Sequence, residues 1–283
     1  MSVSITECPR DAMQGLENWI PTEVKADYIN QLLKVGFDVI DFGSFVSPKS
    51  IPQLKDTAEV LSRLELNNTR SKLLAIVANE RGAKDASQFN EIAFQGYPFS
   101  ISPTFQKRNT NSTIEESLKR VESINEIARK SNQELLIYIS MAFGNPYGDK
   151  WSPDLTSSWI ETLIDRFGIK HFALADTAGV SAVRLIQDMF ETVMPSFEDV
   201  QIGAHLHSNP ESTVEKVVAA YSAGCRSFDC AIGGLGGCPM AEDDLVGNVD
   251  TIKLINGLPK VELEHINLHE FELAVSQSKN GFN

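Results

Sequence analysis

Eight short runs of β-branched and apolar residues recur along the chain, and a segment with helical periodicity follows nearly every one of them. A run that is apolar at nearly every position is typical of a parallel strand covered on both faces. Eight β–α units in 283 residues predict an α/β fold, a single (β/α)8 TIM barrel over residues 1–283 with a short C-terminal helical extension. A doubly wound open sheet is the alternative. The runs are VSITEC (3–8), FDVIDFGS (37–44), KLLAIVAN (72–79), YPFSIS (97–102), ELLIYISMAF (134–143), KHFALAD (170–176), VQIGAHLH (200–207) and SFDCAI (227–232).

Helix start signals support this alternation. Thr22 precedes EVKADYINQLLK, Ser112 and Glu115 have the spacing of a capping box, and Pro153 opens DLTSSWIETLIDRF. No linker rich in Pro, Gly or Ser marks a domain boundary. Further helices are predicted at 181–194, 211–223 and 244–256.

Charge and composition narrow the range of partners. The net charge is −13 and the chain has no run rich in Lys or Arg, so the attraction to phosphate backbones that nucleic-acid binding needs is missing. No segment approaches the roughly 20 apolar residues that span a bilayer, and the N-terminus does not resemble a signal peptide. We therefore expect a cytoplasmic protein with neither a nucleic-acid nor a membrane partner. Four cysteines without a CxxC pair, Cys8, Cys225, Cys230 and Cys238, are expected to be reduced thiols.

Polar residues collect at the carboxyl ends of the predicted strands, which is where a TIM barrel carries its catalytic residues. A strand-to-loop junction is polar in most proteins, so the serines among them are weak signals. The residues are Arg10, Asp11, Asp41, Ser44, Asn79, Ser102, Ser140, Asp176, Thr177, His205 and His207.

His205 and His207 are the strongest of these signals. Side chains two apart in a strand share a face, so the two imidazoles project in parallel and are close enough to hold one ion. Asp11 is the best candidate for an oxygen ligand, and a mixed imidazole and carboxylate site suits Mg²⁺ or Mn²⁺. The structural alternative is a histidine bonded to a backbone carbonyl beside one that caps the loop. For the Arg10–Asp11 pair the alternative is a solvated ion pair.

The segment GGLGGCP (233–239) has four glycines and a proline around Cys238. Glycine permits backbone conformations that other residues avoid, so this composition predicts a mobile loop with a thiol near its tip. A plain tight turn is the simpler interpretation. A phosphate-binding loop is disfavoured because no GxxxxGK[ST] pattern accompanies it.

Several of these segments together resemble the hydroxymethylglutaryl-CoA lyases, over about residues 5–258. An Arg-Asp pair and an HxH motif also occur in related metal-dependent barrels such as isopropylmalate and homocitrate synthases, whereas SFVSPK together with GLGGCP is specific to the lyases. The resemblance implies retro-Claisen cleavage of 3-hydroxy-3-methylglutaryl-CoA to acetyl-CoA and acetoacetate, a step of leucine degradation. The matching segments are PRDAMQ, SFVSPK, PQLKDTAEVL, NSTIEES, GNPYGDKWSP, ADTAGV, AHLH and GGLGGCP.

The resemblance also implies roles for individual residues. Arg10 would stabilise the enolate oxygen and Asp41 would orient Arg10. His205, Asp176 and Cys238 would be the candidates for proton transfer. The metal ligands would be Asp11, His205, His207 and Asn248, and substrate would contact Gln14, Ser44, Ser102, Ser140 and Thr177.

Several positions depart from the family pattern, among them Asp41, where the family usually has Glu, and one extra residue between Cys238 and Asn248. Ala12 follows Arg10-Asp11 where the family has Gly, Glu17 stands where a Lys is expected near the CoA phosphates, and Ser208 follows the second His in place of an acid. Two alternatives are therefore kept: a lyase or aldolase of the same barrel group acting on a free hydroxy acid, and a non-catalytic metabolite-binding barrel. We also expect a homodimer, because lyases of this kind often pair through helices outside the barrel.

Overall fold

Eight parallel strands close into one barrel in the order β1 to β8 in the computed structural model, which describes residues 2–237 and 246–281. Closure is made by β1 and β8, where Ser4 lies opposite Ser227 and Glu7 lies opposite Cys230. The TIM barrel is thereby confirmed and the open sheet is excluded. The strands are β1 (Ser4–Glu7), β2 (Val39–Ser44), β3 (Lys72–Ile76), β4 (Ile92–Ser100), β5 (Glu134–Ser140), β6 (His171–Ala175), β7 (Gln201–His205) and β8 (Ser227–Cys230).

Helices connect the strands and surround the barrel. Two short ones, α1 and α5, lie at the carboxyl ends of β1 and β4, and the last helix, α11, packs on α2. The α11 helix is the predicted C-terminal extension. Within the described residues the helices are α1 (Pro9–Gln14), α2 (Thr22–Val35), α3 (Thr57–Leu61), α4 (Glu80–Ala86), α5 (Pro103–Thr110), α6 (Ile114–Lys130), α7 (Pro153–Phe167), α8 (Val183–Val193), α9 (Thr213–Ser222), α10 (Thr251–Gly257) and α11 (Leu268–Gly281).

The apolar core has two layers. The larger lies between the barrel and its helices and includes Phe37, Tyr97 and Phe190. The smaller cluster, which includes Leu74 and Tyr138, comes from β3 to β6. Packing there is tight at Gly96, because a Cβ added to it would lie 2.6 Å from Ile76 Cδ1. Side chains therefore fill this part of the barrel interior.

Three local predictions need correction. The helix predicted at 244–256 begins at Thr251 as α10, and Asn248 and Asp250 before it form isolated β-bridges. The capping box of α6 uses Thr113 and Glu116, whose side chains accept from each other's backbone N–H at 3.1 and 2.8 Å, and the predicted pair Ser112 and Glu115 is wrong by one residue. Strand β4 begins at Ile92, five residues before the predicted run. The buried Gln95 side chain interrupts the apolar pattern there, and Gln133 Oε1 accepts from it at 2.7 Å.

Cys8, Cys225 and Cys230 are buried free thiols, as expected. In the part of the chain that the structure describes, no helix is both long enough and apolar enough to cross a bilayer. The cytoplasmic location stays a prediction.

Glu7 is a fully buried acid at the seam between the first and last strands. Its carboxyl accepts hydrogen bonds from Ile232 N at 2.8 Å and Thr251 Oγ1 at 2.6 Å. Glu7 thereby ties β1 to both ends of the segment that leads from β8 to α10. Burial raises the pKa of Glu7 to about 7, although these hydrogen bonds act in the opposite direction.

We predict that Glu7 makes the protein less stable as the pH rises. Its pKa is higher in the folded than in the unfolded protein, so its contribution is fully present below about pH 4.5 and is lost as the pH passes about 7. The size is at most on the order of 3 kcal/mol. Glu7→Gln keeps an acceptor for Ile232 N and removes the titration. In urea unfolding from pH 4.5 to 8, the free energy of unfolding of the variant should rise relative to that of the wild type. Parallel pH profiles of the two proteins would contradict the assignment.

Candidate active site

A cavity of about 590 Å³ opens at the carboxyl ends of the strands. That volume lies within the range of small-molecule sites. Because all eight strands are parallel, residues far apart in sequence meet at this rim. The cavity brings together eight of the residues singled out in the sequence: Arg10, Asp11, Gln14, Asn79, Ser140, Thr177, His205 and His207.

The buried guanidinium of Arg10 is held by two carboxylates. Helix α1 starts at Pro9, so its first turn carries Arg10 and Asp11 directly from β1 into the rim. Arg10 Nε and Nη2 donate to Asp41 Oδ2 at 2.9 and 2.5 Å, and Nη1 donates to Asp11 Oδ1 at 2.8 Å. Nη1 also donates to Gln14 Oε1 at 2.9 Å. The guanidinium is thus fixed in orientation by Asp41.

The two carboxylates differ in their pKa. Burial raises the pKa of Asp11, but Arg10, His205 and His207 outweigh it, and the resulting pKa is about 2. For Asp41 burial prevails over the attraction of Arg10 and raises the pKa to about 6. Asp11 is therefore fully ionised at neutral pH, as a metal ligand must be.

His205 ends β7 and pairs with an acid that the sequence analysis did not select. Its Nδ1 lies 3.0 Å from Asp229 Oδ2, and both side chains are buried. Burial lowers the pKa of His205, but the hydrogen bond and charge of Asp229 outweigh it, so the net shift is upward. Such a pair fixes the ring and leaves Nε2 as the free nitrogen. Asp229 had one signal in the sequence, since it is the charged residue of the predicted strand SFDCAI (227–232).

His207 lies against His205, with ring centroids 5.2 Å apart. Its side chain is almost fully buried, and Nδ1 has no hydrogen-bond partner in the part of the chain described. Burial, together with the neighbouring His205, lowers the pKa of His207 to about 4. A neutral imidazole with an unpartnered buried nitrogen is suited to bind a cation.

Asn248 completes the predicted ligand set. It pairs with His207 in an antiparallel bridge. Its Nδ2 donates to Asp11 Oδ2 at 2.5 Å and to Leu235 O at 2.8 Å. A carboxylate, two imidazoles and an amide therefore lie together at one side of the cavity.

This donor set fits a divalent cation in its chemistry. Within residues 2–237 and 246–281, however, no group of three or more His, Cys, Asp or Glu side chains is placed to hold a metal ion. Both oxygens of Asp11 accept hydrogen bonds, Oδ1 from Gln14 Nε2 at 2.5 Å and Oδ2 from Asn248 Nδ2. The unpartnered nitrogen of His207 remains the observation that favours a cation here.

Asp176 is buried and its carboxylate is fully engaged. It accepts from Val180 N at 3.0 Å, from the backbone and hydroxyl of Ser181, and from Lys216 Nζ at 3.4 Å. These contacts hold the loop between β6 and α8. A role of Asp176 in proton transfer stays a prediction.

The remaining predicted residues divide into two groups. Ser140 and Thr177 line the cavity, and Thr177 Oγ1 accepts from Met141 N at 3.0 Å. Ser44 and Ser102 use their hydroxyls in local structure, Ser44 by donating to a backbone carbonyl and Ser102 by capping α5. Their roles in substrate binding stay predictions. Cys238 lies outside the described residues.

Comparisons with known proteins agree with this geometry. The family model described as HMGL-like matches residues 4–274. The hydroxymethylglutaryl-CoA lyase YngG of Bacillus subtilis is 32% identical over 258 residues, which are 90% of this chain and 84% of that protein. The cytoplasmic 3-hydroxy-3-methylglutaryl-CoA lyase of Rattus norvegicus is 34% identical over 256 residues, which are 88% of this chain and 73% of that protein.

Solved structures lead to the same family. An HMG-CoA lyase from Acinetobacter baumannii, solved in complex with coenzyme A and 3-methylmalate, superposes with a TM-score of 0.90 at 30% identity, covering 99% of this chain and 91% of that one. The Bacillus subtilis HMG-CoA lyase also gives a TM-score of 0.90, at 31% identity, covering 99% of this chain and 93% of that one. Since the family model spans most of the chain and these relatives are at least 30% identical to it, the chain belongs to the HMGL-like family and is an enzyme of the lyase class.

Proposed function

We propose that the protein is a divalent-metal-dependent carbon–carbon lyase that cleaves 3-hydroxy-3-methylglutaryl-CoA to acetyl-CoA and acetoacetate. The observation that carries the proposal is a guanidinium locked by Asp41 and Asp11 beside two imidazoles, one with an unpartnered buried nitrogen, at the rim of a ligand-sized cavity. The names of the relatives supply the substrate. A related 3-hydroxyacyl thioester would suit the same chemistry.

The residues proposed to hold the metal are Asp11, His205, His207 and Asn248. When bound, a Mg²⁺ or Mn²⁺ ion would polarise the substrate oxygens and make the C3 hydroxyl more acidic. The chain supplies an ionised carboxylate, a neutral imidazole and a second imidazole oriented by Asp229, which is a donor set these ions accept.

The chemistry begins with loss of the proton from the C3 hydroxyl. The proposed base is His205, whose Nδ1 is held by Asp229. Its Nε2 can accept this proton only while it is not a metal ligand, so the roles of base and metal ligand are alternatives for His205. The electron pair of that O–H bond forms the new carbonyl, and the C2–C3 bond breaks. Its electrons move onto the thioester as an enolate, whose oxygen carries the developing charge.

Arg10 is the group that stabilises this charge. A fixed cation in a buried site needs no reorganisation when the enolate forms, which makes it effective in the transition state. Protonation at C2 then gives acetyl-CoA. Cys238 is the proposed donor for that step; Asp176 is the weaker candidate, because Ser181 and Lys216 already engage its carboxylate.

Two arginines that line the cavity support a CoA ester as the substrate. Arg108 and Arg120 line it together with Asn109 and Asn111. On a chain with a net charge of −13, a local pair of guanidiniums offers a place for an anionic ligand such as the CoA phosphates. One observation favours the alternative of a free hydroxy acid: the exposed residue at position 17 is Glu, where the resemblance to the lyases leads us to expect Lys. A homodimer stays a prediction.

Purified protein with Mg²⁺ or Mn²⁺ should convert hydroxymethylglutaryl-CoA to acetoacetate, measured by a coupled reductase assay. EDTA should abolish turnover and added metal should restore it, because the bound ion is proposed to make the C3 hydroxyl of the substrate more acidic. Cleavage of a free hydroxy acid but not of the thioester would instead support the alternative. Product formation that is indifferent to chelation would contradict the metal site.

Arg10→Ala should lower kcat by about 10² to 10³-fold, the range seen when one stabiliser of a developing oxyanion is removed. Arg10→Lys should recover little, since a single ammonium does not reproduce the fork that Asp41 orients. Both variants should still bind Mn²⁺ in a paramagnetic titration. The matched variant Asp11→Ala should lose Mn²⁺ binding as well as turnover. Full activity in Arg10→Ala would remove the proposed enolate role.

A further inference from the structure

Lys216 and Asp176 form a buried ion pair directly behind His207. The side chains of Lys216 and Asp176 are 7% and 1% exposed. Lys216 Nζ lies 3.4 Å from Asp176 Oδ2 and donates to the backbone carbonyl of His207 at 2.8 Å. Burying an ammonium costs free energy unless such partners compensate for the lost hydration. The position of the Lys216 ammonium is therefore fixed by these two partners.

Two residues in the first turn of α9 contact the successive residues His207 and Ser208. Lys216 Nζ donates to the carbonyl of His207, and Thr213, three residues before Lys216, places its Oγ1 2.7 Å from Ser208 Oγ. Because both contacts come from one helix, they fix the backbone of 207–208 relative to the barrel wall. The direction of the His207 imidazole follows from that backbone.

The same stretch sets the position of Asn248. His207 and Asn248 form a backbone bridge, and Ser208 N donates to Gly247 O at 3.0 Å. A displacement at His207 would therefore move both side chains. Two of the four proposed metal ligands depend on the backbone that Lys216 holds.

The other partner of Lys216 is itself immobilised. Asp176 accepts from Val180 N and from Ser181 N and Oγ, so its carboxylate is fixed to the β6–α8 loop. The ammonium is consequently placed between two anchored groups, the Asp176 carboxylate and the His207 carbonyl. A lysine that only neutralised Asp176 would not need the second contact.

We propose that Lys216 is a positioning residue that holds His207 and Asn248 in the arrangement that binds the metal. The inference rests on the metal site of the proposed function. Lys216 touches neither substrate nor metal in this role, and acts through the His207 carbonyl. Residues behind a metal ligand commonly change metal affinity or activity 10 to 100-fold when replaced.

The test is the Mn²⁺ dissociation constant of the full chain, measured by the electron paramagnetic resonance signal of free Mn²⁺, without substrate. Lys216→Met keeps most of the side-chain volume and should weaken binding about tenfold or more. The double variant Asp176→Asn/Lys216→Met removes the unpaired carboxylate that the single variant leaves. It should fold more readily and still bind weakly, since the contact with His207 O remains absent.

Lys25→Met is a matched control. Lys25 is equally buried and has the same kinds of partner, the Asp56 carboxylate at 2.8 Å and the carbonyl of Gln53. It should lose stability on denaturation but keep wild-type affinity for Mn²⁺. If a general loss of packing were responsible, both Met variants would weaken binding alike, and the proposal would be overturned.

The remaining outcomes separate this inference from the proposed function. Wild-type protein that binds Mn²⁺, together with Lys216→Met within about twofold of it, would overturn the role of Lys216 alone. Recovery of wild-type affinity in the double variant would also overturn it, because the unpaired Asp176 charge would then explain the single variant. A wild type without Mn²⁺ binding would overturn the metal site and this inference together.

Discussion

The buried charges at the barrel rim are arranged so that each faces an opposite charge. Arg10 lies between Asp41 and Asp11, Lys216 lies against Asp176, and His205 pairs with Asp229. The cost of burying an isolated ion is large, so each pair depends on correct placement of the strands that carry its members. Arg10 and Asp11 are adjacent in α1, but in the other pairs the partners come from different strands, loops or helices. The register of the barrel and the geometry of the site are therefore one constraint.

That constraint separates the two acids of the Arg10 cluster. They share one guanidinium, yet Asp11 also faces two imidazoles and receives a hydrogen bond from Asn248, whereas Asp41 has a buried oxygen without a partner in the described residues. The pKa of Asp11 accordingly falls and that of Asp41 rises. One carboxylate is thereby suited to bind a cation and the other to orient Arg10, although both are aspartates.

The barrel and the strand-end residues could be predicted from the sequence because they follow from local patterns. A run of apolar residues marks a strand, and parallel strands place their carboxyl ends together. His205 and His207 stood out by spacing alone, while the assignment of Asn248 needed the resemblance to the lyases. Asp229 and Lys216 could not be identified in this way, because the role of each depends on a partner distant in sequence, His205 for Asp229 and Asp176 for Lys216. The position of the α6 cap was missed for a simpler reason, that Ser112-Thr113 and Glu115-Glu116 offer two equivalent registers.

The pairing of β1 with β8 has a consequence for how the site comes into existence. Arg10 and Asp11 follow β1, while His205, His207 and Asn248 belong to the last third of the chain. Contacts of such long sequence separation form late, because the entropy of closing the intervening chain is lost before they are made. During synthesis, the N-terminal half of the barrel therefore emerges with its guanidinium and carboxylates but without imidazoles. The proposed site is complete only when the last strand closes the barrel, so a truncated chain would lack part of the proposed ligand set.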